Sequence, residues 1–438
     1  LIDDAIERHY REIRATGEVT AALSGLDFVI TSDDQALDEI DVNQLKKEID
    51  EAPIVKLVNL TLTEAIKNRA TDIHIEPTFD ALMIRYRIDG RLQEIMTAPK
   101  KSQMGIISRI KIMSNLNIAE RRLPQDGRFS IKMPEKEVDI RVSILPTVRG
   151  EKVVMRLLDK TGFSYYLDNL GLDKDMHDAF LRWIKQPYGM IIVSGPTGSG
   201  KSTSLHAAIN EVKSPEDNIV TVEDPVEYQI DGISQVAAND QIGLTFAAAL
   251  RHILRQDPDK ILIGEIRDKE TAEIAVKFSL TGHLVFTTLH ANDAPSTITR
   301  LLDIGVPPFL VGSCLNLVMA QRLVRTVCPH CKESYTPTDD EIKELGVDIS
   351  KYSERNFVKA KGCVHCRNTG YYGRTGIFEL LELRRPIRKL IFENASEDAI
   401  RIQANELKMV NLREAGVRKA LRGETTIFEI LNSTVEDT

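Results

Sequence analysis

Residues 190–212 read MIIVSGPTGSGKSTSLHAAINEV, and this stretch decides the fold. An apolar run suited to a buried strand ends at Ser194, and a helical pattern follows Lys201. Between them Gly195–Thr203 spells GPTGSGKST, a full match to G-x-x-x-x-G-K-[ST] in the strand–loop–helix context that gives the motif its meaning. Gly195, Gly198 and Gly200, with Pro196, Thr197 and Ser199 among them, let backbone N–H groups converge on a row of phosphates. The helix N-terminus adds a favourable dipole. The same chemistry places Lys201 on the β- and γ-phosphates and the Ser202 hydroxyl on Mg²⁺, with Thr203 completing the loop. Such a cradle alone does not separate a kinase from a motor or a GTPase switch.

The segments downstream narrow the choice. Apolar strands recur at NIVTVEDP, KILIGEI and HLVFTTLH with helical segments between them, which predicts a parallel sheet covered by helices. In open α/β sheets ligands collect at the carboxyl ends of strands. Glu265 follows one of these strands, Glu223, Asp224 and Glu227 follow another, and His283 and His290 bracket the third. Hydrolysis needs an oriented water and stabilisation of developing charge, and these side chains are the candidates to supply both.

A chain of 438 residues predicts two to four domains, and 42% hydrophobic with 28% charged residues is the balance of a soluble globular protein. No apolar run reaches the length of a membrane span. The formal net charge of −8 argues against broad nucleic-acid binding. The chain starts at Leu1 without a charged-then-apolar leader, so it reads as a fragment and not a secreted precursor. Residues 1–14 form an amphipathic helical pattern, and residues 15–50 read as an acidic linker. Residues 51–165 alternate with period two between two helical stretches, with Asp89-Gly90 as a hairpin turn, and predict a compact α+β domain. A P-loop core over 166–325, a cysteine segment over 326–372 and a helical region over 373–438 follow.

Four of the five cysteines form two C-x-x-C pairs, Cys328 with Cys331 and Cys363 with Cys366. Four soft thiolates at this spacing suit structural, tetrahedral Zn²⁺ with no open position. A redox role is the weaker reading, because neither pair follows a βαβ pattern. His330 and His365 inside the pairs read as bystanders, and Cys314 as a buried small apolar residue.

The phosphate loop, VTVEDPVE, RQDPDKILIGEIRD and TGHLVFTTLHANDAPST together resemble the secretion ATPase superfamily, whose members power type II secretion and type IV pilus assembly (the GspE/PilB group). The resemblance runs from residue 51 onward and implies a RecA-like P-loop ATPase core preceded by a PAS-like α+β domain. It implies roles residue by residue. Glu265 corresponds to the Walker B glutamate and Glu223 to the Asp-box glutamate; the two share water activation and Mg²⁺ binding, with the general base open between them. His290 senses the γ-phosphate, while Asp224 and His283 stand as nucleotide-binding candidates from their places at strand ends. Arg141 and Arg156 reach ATP from the preceding domain, and Arg251, Arg255 and Arg267 lie at subunit contacts. Residues 1–14 resemble the end of a docking domain. The tetracysteine segment implies assembly or secretion in preference to pilus retraction. The implied protein is a hexameric ATPase motor at the cytoplasmic face of the inner membrane, docked on a platform protein and acting on pilin, or alternatively pseudopilin, with no nucleic-acid partner. A RecA-like nucleic-acid motor is disfavoured by the acidic balance, and a non-hydrolysing regulator by the presence of both Glu223 and Glu265.

Overall fold

The computed structural model describes residues 29–31, 52–134, 136–159 and 166–434. The helix expected over 1–14 lies outside them. So does the linker expected over 15–50, apart from Val29–Thr31, which forms strand β1 against residues 130–132. The chain divides into two compact units, Leu1–Phe163 and Ser164–Thr438.

The first unit contains α1 (Ala52–Lys67), β2 (Asp72–Pro77), β3 (Ala81–Ile88), β4 (Arg91–Pro99), α2 (Gln103–Met113), β5 (Gln125–Lys132), β6 (Glu137–Thr147) and β7 (Gly150–Asp159). Its seven-stranded sheet has the order β1-β5-β6-β7-β2-β3-β4, with every pair antiparallel. Period-two alternation sends Ile73, Ile75, Ile84, Tyr86, Ile140, Val142, Val153 and Met155 to one face, where they pack with Leu62, Ile66, Ile106 and Ile110 of α1 and α2. The one polar atom that Tyr86 carries into this core is satisfied, its hydroxyl donating to Thr61 O at 2.6 Å. The β3–β4 turn is Asp89-Gly90, both at positive φ (47° and 85°), as a two-residue hairpin requires.

The second unit contains α3 (Lys174–Ile184), β8 (Gly189–Ser194), α4 (Lys201–Val212), β9 (Ile219–Glu223), β10 (Ser234–Ala237), α5 (Phe246–Ile253), β11 (Lys260–Ile263), α6 (Lys269–Leu280), β12 (Leu284–Leu289), α7 (Ala294–Asp303), α8 (Pro308–Cys314) and β13 (Leu315–Val327). After these come β14 (Lys332–Ser334), α9 (Asp339–Glu344), β15 (Val358–Ala360), β16 (Tyr371–Glu382), α10 (Arg385–Phe392), α11 (Glu397–Glu406), α12 (Leu412–Leu421) and α13 (Ile427–Ser433). Its main sheet runs β10-β9-β11-β12-β8-β13-β16, parallel through β13 and antiparallel only at the β13–β16 edge. β8, β9 and β12 are buried along their whole lengths, which is why they read as continuous apolar runs. No helix among the described residues is long and apolar enough to cross a membrane.

Two elements differ from the sequence reading. The expected boundary at residue 325 falls inside β13, which continues to Val327 in its pairing with β16. The expected helical region 373–438 opens instead within strand β16, which pairs with β13 over most of its length. The small hairpin of β14 with β15 lies in the connection between these two strands. Cys314 is buried as expected, and burial pushes its thiol up to about 12.

Candidate nucleotide site and cysteine cluster

β8 delivers the chain to the phosphate loop, and α4 begins with Gly200 as its cap at φ 90°. Glycine at 195 is dictated by close approach: its φ is 148°, and a Cβ there would fall 2.5 Å from Gln321 O and 2.6 Å from Ser199 Oγ. The Lys201 ammonium donates to Gly195 O at 2.9 Å and Pro196 O at 3.1 Å, holding it across the loop. Burial pushes the Lys201 pKa down, and the charge of Glu265 partly opposes that shift. Ser202 is exposed on the first turn of α4.

β13 braces the loop from the side. Gln321 is 2% exposed; its Nε2 donates to Ser199 O at 2.6 Å, and its Oε1 accepts from Ser204 Oγ at 2.7 Å. One amide thus ties the loop to the first turn of the helix that follows it. Sequence reasoning missed this residue. Its signal was a carboxamide within an apolar run, which a buried strand keeps only when both ends of the amide are used.

The carboxyl ends of β9, β11 and β12 bring four expected residues together. Arg267 forms ion pairs with Glu265 and, at 3.8 Å, with Asp224, while His290 Nε2 lies 3.3 Å from the second Glu265 oxygen. Hydrogen bonding to Glu265 raises the Arg267 pKa further. Glu223 has different surroundings. It is 5% exposed and accepts from Thr221 Oγ1 at 2.7 Å and Gln235 Nε2 at 3.2 Å, with His206 Nε2 at 3.1 Å. Burial would raise its carboxyl, but His206, Thr221 and Gln235 outweigh that and hold it below the usual carboxylate range. His206, on α4, is the second residue the sequence reading missed; the signal was a histidine on the apolar side of the helix after the loop.

Other expected residues have other partners within their own units. His283 precedes β12, whereas the loop follows the parallel neighbour β8, so His283 sits at the opposite end of the sheet, about 20 Å away at ~3.3 Å per strand residue. Its ring packs edge-on against Phe278, with Nδ1 3.0 Å from Phe278 O. Arg251 pairs with Glu270 of α6, and Arg255 turns back to Arg251 O at 3.1 Å. Arg141 and Arg156 belong to the first unit, directly opposite each other on β6 and β7, with Arg156 Nε donating to Asp72 at 3.1 Å.

The four paired cysteines converge, with their sulfur atoms all within 4.8 Å of one another. The Sγ–Sγ separations of 3.9 Å for Cys328–Cys363 and 3.7 Å for both Cys331–Cys366 and Cys363–Cys366 match the ~3.8 Å edge of a tetrahedron with ~2.3 Å Zn–S bonds. They are far beyond disulfide length, and all five cysteines are free. Backbone N–H groups of Cys363 and Gly370 donate to Cys366 Sγ at 3.2 and 3.1 Å, as they would to a thiolate. The donor set and spacing fit Zn²⁺, with all four ligands used and none left for chemistry. The His330 and His365 rings meet at a tilt of 55° with centroids 4.1 Å apart, and His365 lies 4.7 Å from the Tyr372 ring.

Residues 47–432 match the family described as type II/IV secretion system protein. The chain is 47% identical over 438 residues to the type IV pilus assembly ATPase PilB of Myxococcus xanthus, covering all of this chain and 77% of that protein. It is 49% identical over 387 residues to the type II secretion system ATPase E of Vibrio cholerae, covering 88% and 76%. Among solved structures, the Legionella pneumophila ATPase DotB superposes with a TM-score of 0.62 at 20% identity over 85% of this chain and 94% of that one, a likeness of fold. With the α/β P-loop fold, the braced loop and the acid–histidine cluster in place, the chain belongs to the type II/IV secretion system protein family.

Proposed function

We propose that this chain is the ATP-hydrolysing motor subunit of a type IV pilus assembly or type II secretion machine. The observation that carries the reading is the convergence of Asp224, Glu265, Arg267 and His290 at the strand ends beside a complete phosphate loop. The pilus-assembly relative and the secretion relative match almost equally well, so the reading is stated for the motor that both use. A hexameric ring, a platform protein in the inner membrane and pilin or pseudopilin as the indirect load belong to the same proposal.

The different surroundings of the two glutamates support unequal roles for them. Glu223 is itself buried and is held by buried His206 and Thr221 and half-buried Gln235, so this carboxylate positions the strand end and is not free to turn toward a water. Glu265 is held by Arg267 and His290, whose side chains are 57% and 54% exposed. Exposed ion pairs are worth about 0–1 kcal/mol, so an arriving triphosphate can displace them. Glu265 would then orient the attacking water and, with Ser202, would hold Mg²⁺, while His290 reads the γ-phosphate and Lys201 exchanges its two loop carbonyls for phosphate oxygens. Mg²⁺ supplies charge neutralisation of the phosphates when bound. In this reading Arg141 and Arg156 deliver further guanidinium charge to the nucleotide, which couples hydrolysis to movement of the first unit. Arg251 and Arg255 face neighbouring subunits.

The test is steady-state ATP hydrolysis across a protein concentration series with light scattering in parallel, for the parent, Glu265→Gln and Arg141→Ala. Specific activity that rises with assembly, falls about 10²-fold or more in Glu265→Gln and is lost in Arg141→Ala with folding intact is the expected result. Turnover that ignores assembly and both substitutions would remove the motor reading.

A further inference from the structure

The phosphate loop has two flanks. One holds Glu265 and His290, at the ends of β11 and β12. The sheet order β11-β12-β8-β13 places β13 on the other side of the loop's own strand. The pairing of β13 with β8 ends at Ala320 opposite Ser194, so residues 321–323 continue alongside the loop itself. There a cleft of about 190 Å³ is lined by Pro196, Thr197, Ser199, Arg322, Leu323 and Ser433. Two polar atoms in its walls, Arg322 Nε and Ser199 Oγ, are buried without a hydrogen-bond partner. Arg322 also makes no ion pair among the described residues.

A buried guanidinium N–H without an acceptor is costly unless a ligand supplies one. The cleft is too small for a whole drug-sized ligand, for which pockets run from about 300 Å³ upward, but it suits one end of a molecule whose other end lies in the loop. The water-activating residues claim the γ-phosphate end for the opposite flank. We infer that Arg322 binds the nucleoside end of the nucleotide, its guanidinium on the α-phosphate and ribose, with Leu323 as the apolar floor beneath the sugar and base. This rests on the reading of the loop as an ATP site and extends it to a residue outside the loop and the acid–histidine cluster. Arginine suits the position because it keeps its charge when desolvated and offers a fork of donors to phosphate oxygens.

The experiment is calorimetric titration of the full chain with Mg·ADP and separately with pyrophosphate, which occupies the loop but has no nucleoside, alongside ATP hydrolysis kinetics. The variants are Arg322→Ala and Arg322→Lys. Arg322→Ala is expected to weaken ADP about 10- to 100-fold, as loss of a charge-assisted hydrogen bond does, and to raise KM for ATP with kcat within about threefold. Pyrophosphate affinity stays within about threefold, and Arg322→Lys falls between the parent and the alanine variant. Unchanged ADP binding overturns the inference. Equal weakening of ADP and pyrophosphate also overturns it, since that assigns Arg322 to the shape of the loop. If Arg322→Ala does not fold, the lysine variant decides: parent-like ADP affinity together with weakened pyrophosphate sinks the idea. A parent protein that binds neither ligand would refute the ATP reading itself, and this inference with it.

Discussion

Gln321→Ala should loosen the phosphate loop without touching any phosphate-binding atom. The side chain makes two hydrogen bonds, 2.6 Å to Ser199 O and 2.7 Å from Ser204 Oγ, at 2% exposure. Truncation leaves a buried carbonyl without its donor, removes one acceptor and opens a small cavity. A buried group left unsatisfied costs about 1–3 kcal/mol, and Ser204 recovers part of its loss by turning to a backbone carbonyl on its own helix. The expected destabilisation is therefore about 2–4 kcal/mol, concentrated at the loop. If half of this appears as lost preorganisation, nucleotide affinity falls about 5- to 30-fold. Gln321→Glu is the sharper perturbation, because it still accepts from Ser204 but sets a carboxylate against the Ser199 carbonyl in place of a donor. Urea unfolding and calorimetric binding of ADP and pyrophosphate measure both effects, and the two ligands should weaken together. An alanine variant with parental stability and affinity within a factor of two would refute the reasoning, as would a glutamate variant that outperforms it.

Two more outcomes follow from the geometry. Glu223 has its folded pKa depressed, so the stability it contributes is present above its unfolded pKa and is lost as pH falls through the lower folded value. Glu223→Gln, measured by urea unfolding from pH 7 down to pH 3, should be less stable than the parent at neutrality, with the gap closing on the acid side; a gap that widens toward low pH would contradict the assignment. Removal of metal by a strong chelator should release about one zinc per chain and lower the melting temperature, with Cys331→Ala reproducing both effects; a chain that releases no zinc, or melts unchanged, would exclude a structural metal.

The parts of the fold legible in the sequence are those where local chemistry and tertiary fate coincide. The Asp89-Gly90 turn needs positive φ whatever surrounds it. β8, β9 and β12 are buried on both faces and so read as apolar runs. Paired cysteines converge because few other arrangements satisfy them. β16 was harder to read: its early residues alternate between half-buried and exposed at a sheet edge, and its partner is distant in the chain. His283 illustrates a different limit. A strand flanked by histidines offers two candidates, but parallel strands share one direction, and only the carboxyl end meets the loop. Gln321 and His206 were harder to assign because their partners, Ser199 O and the Glu223 carboxylate, are brought to them only by the folded chain.

The cysteine cluster also bears on chain entropy. β13 ends at Val327 and β16 resumes at Tyr371, so the sheet's only antiparallel pair is joined by the long excursion 328–370. The cysteines stand at both ends of that excursion, and Cys328 N–H donates to Gly370 O at 2.9 Å across its neck. Cross-linked there by a bound zinc, the sheet would experience a tight hairpin, and the cost of closing a connection this long, about 2–3 kcal/mol more than a two-residue turn, would be carried by the metal site. The excursion is then free to change length and sequence while Gln321 and Glu379, on the two strands it joins, keep their places. Glu379 still accepts from the N–H groups of Ala294 and Leu412. A chain in which a short turn replaced residues 328–370 would keep its phosphate loop while losing all four clustered cysteines.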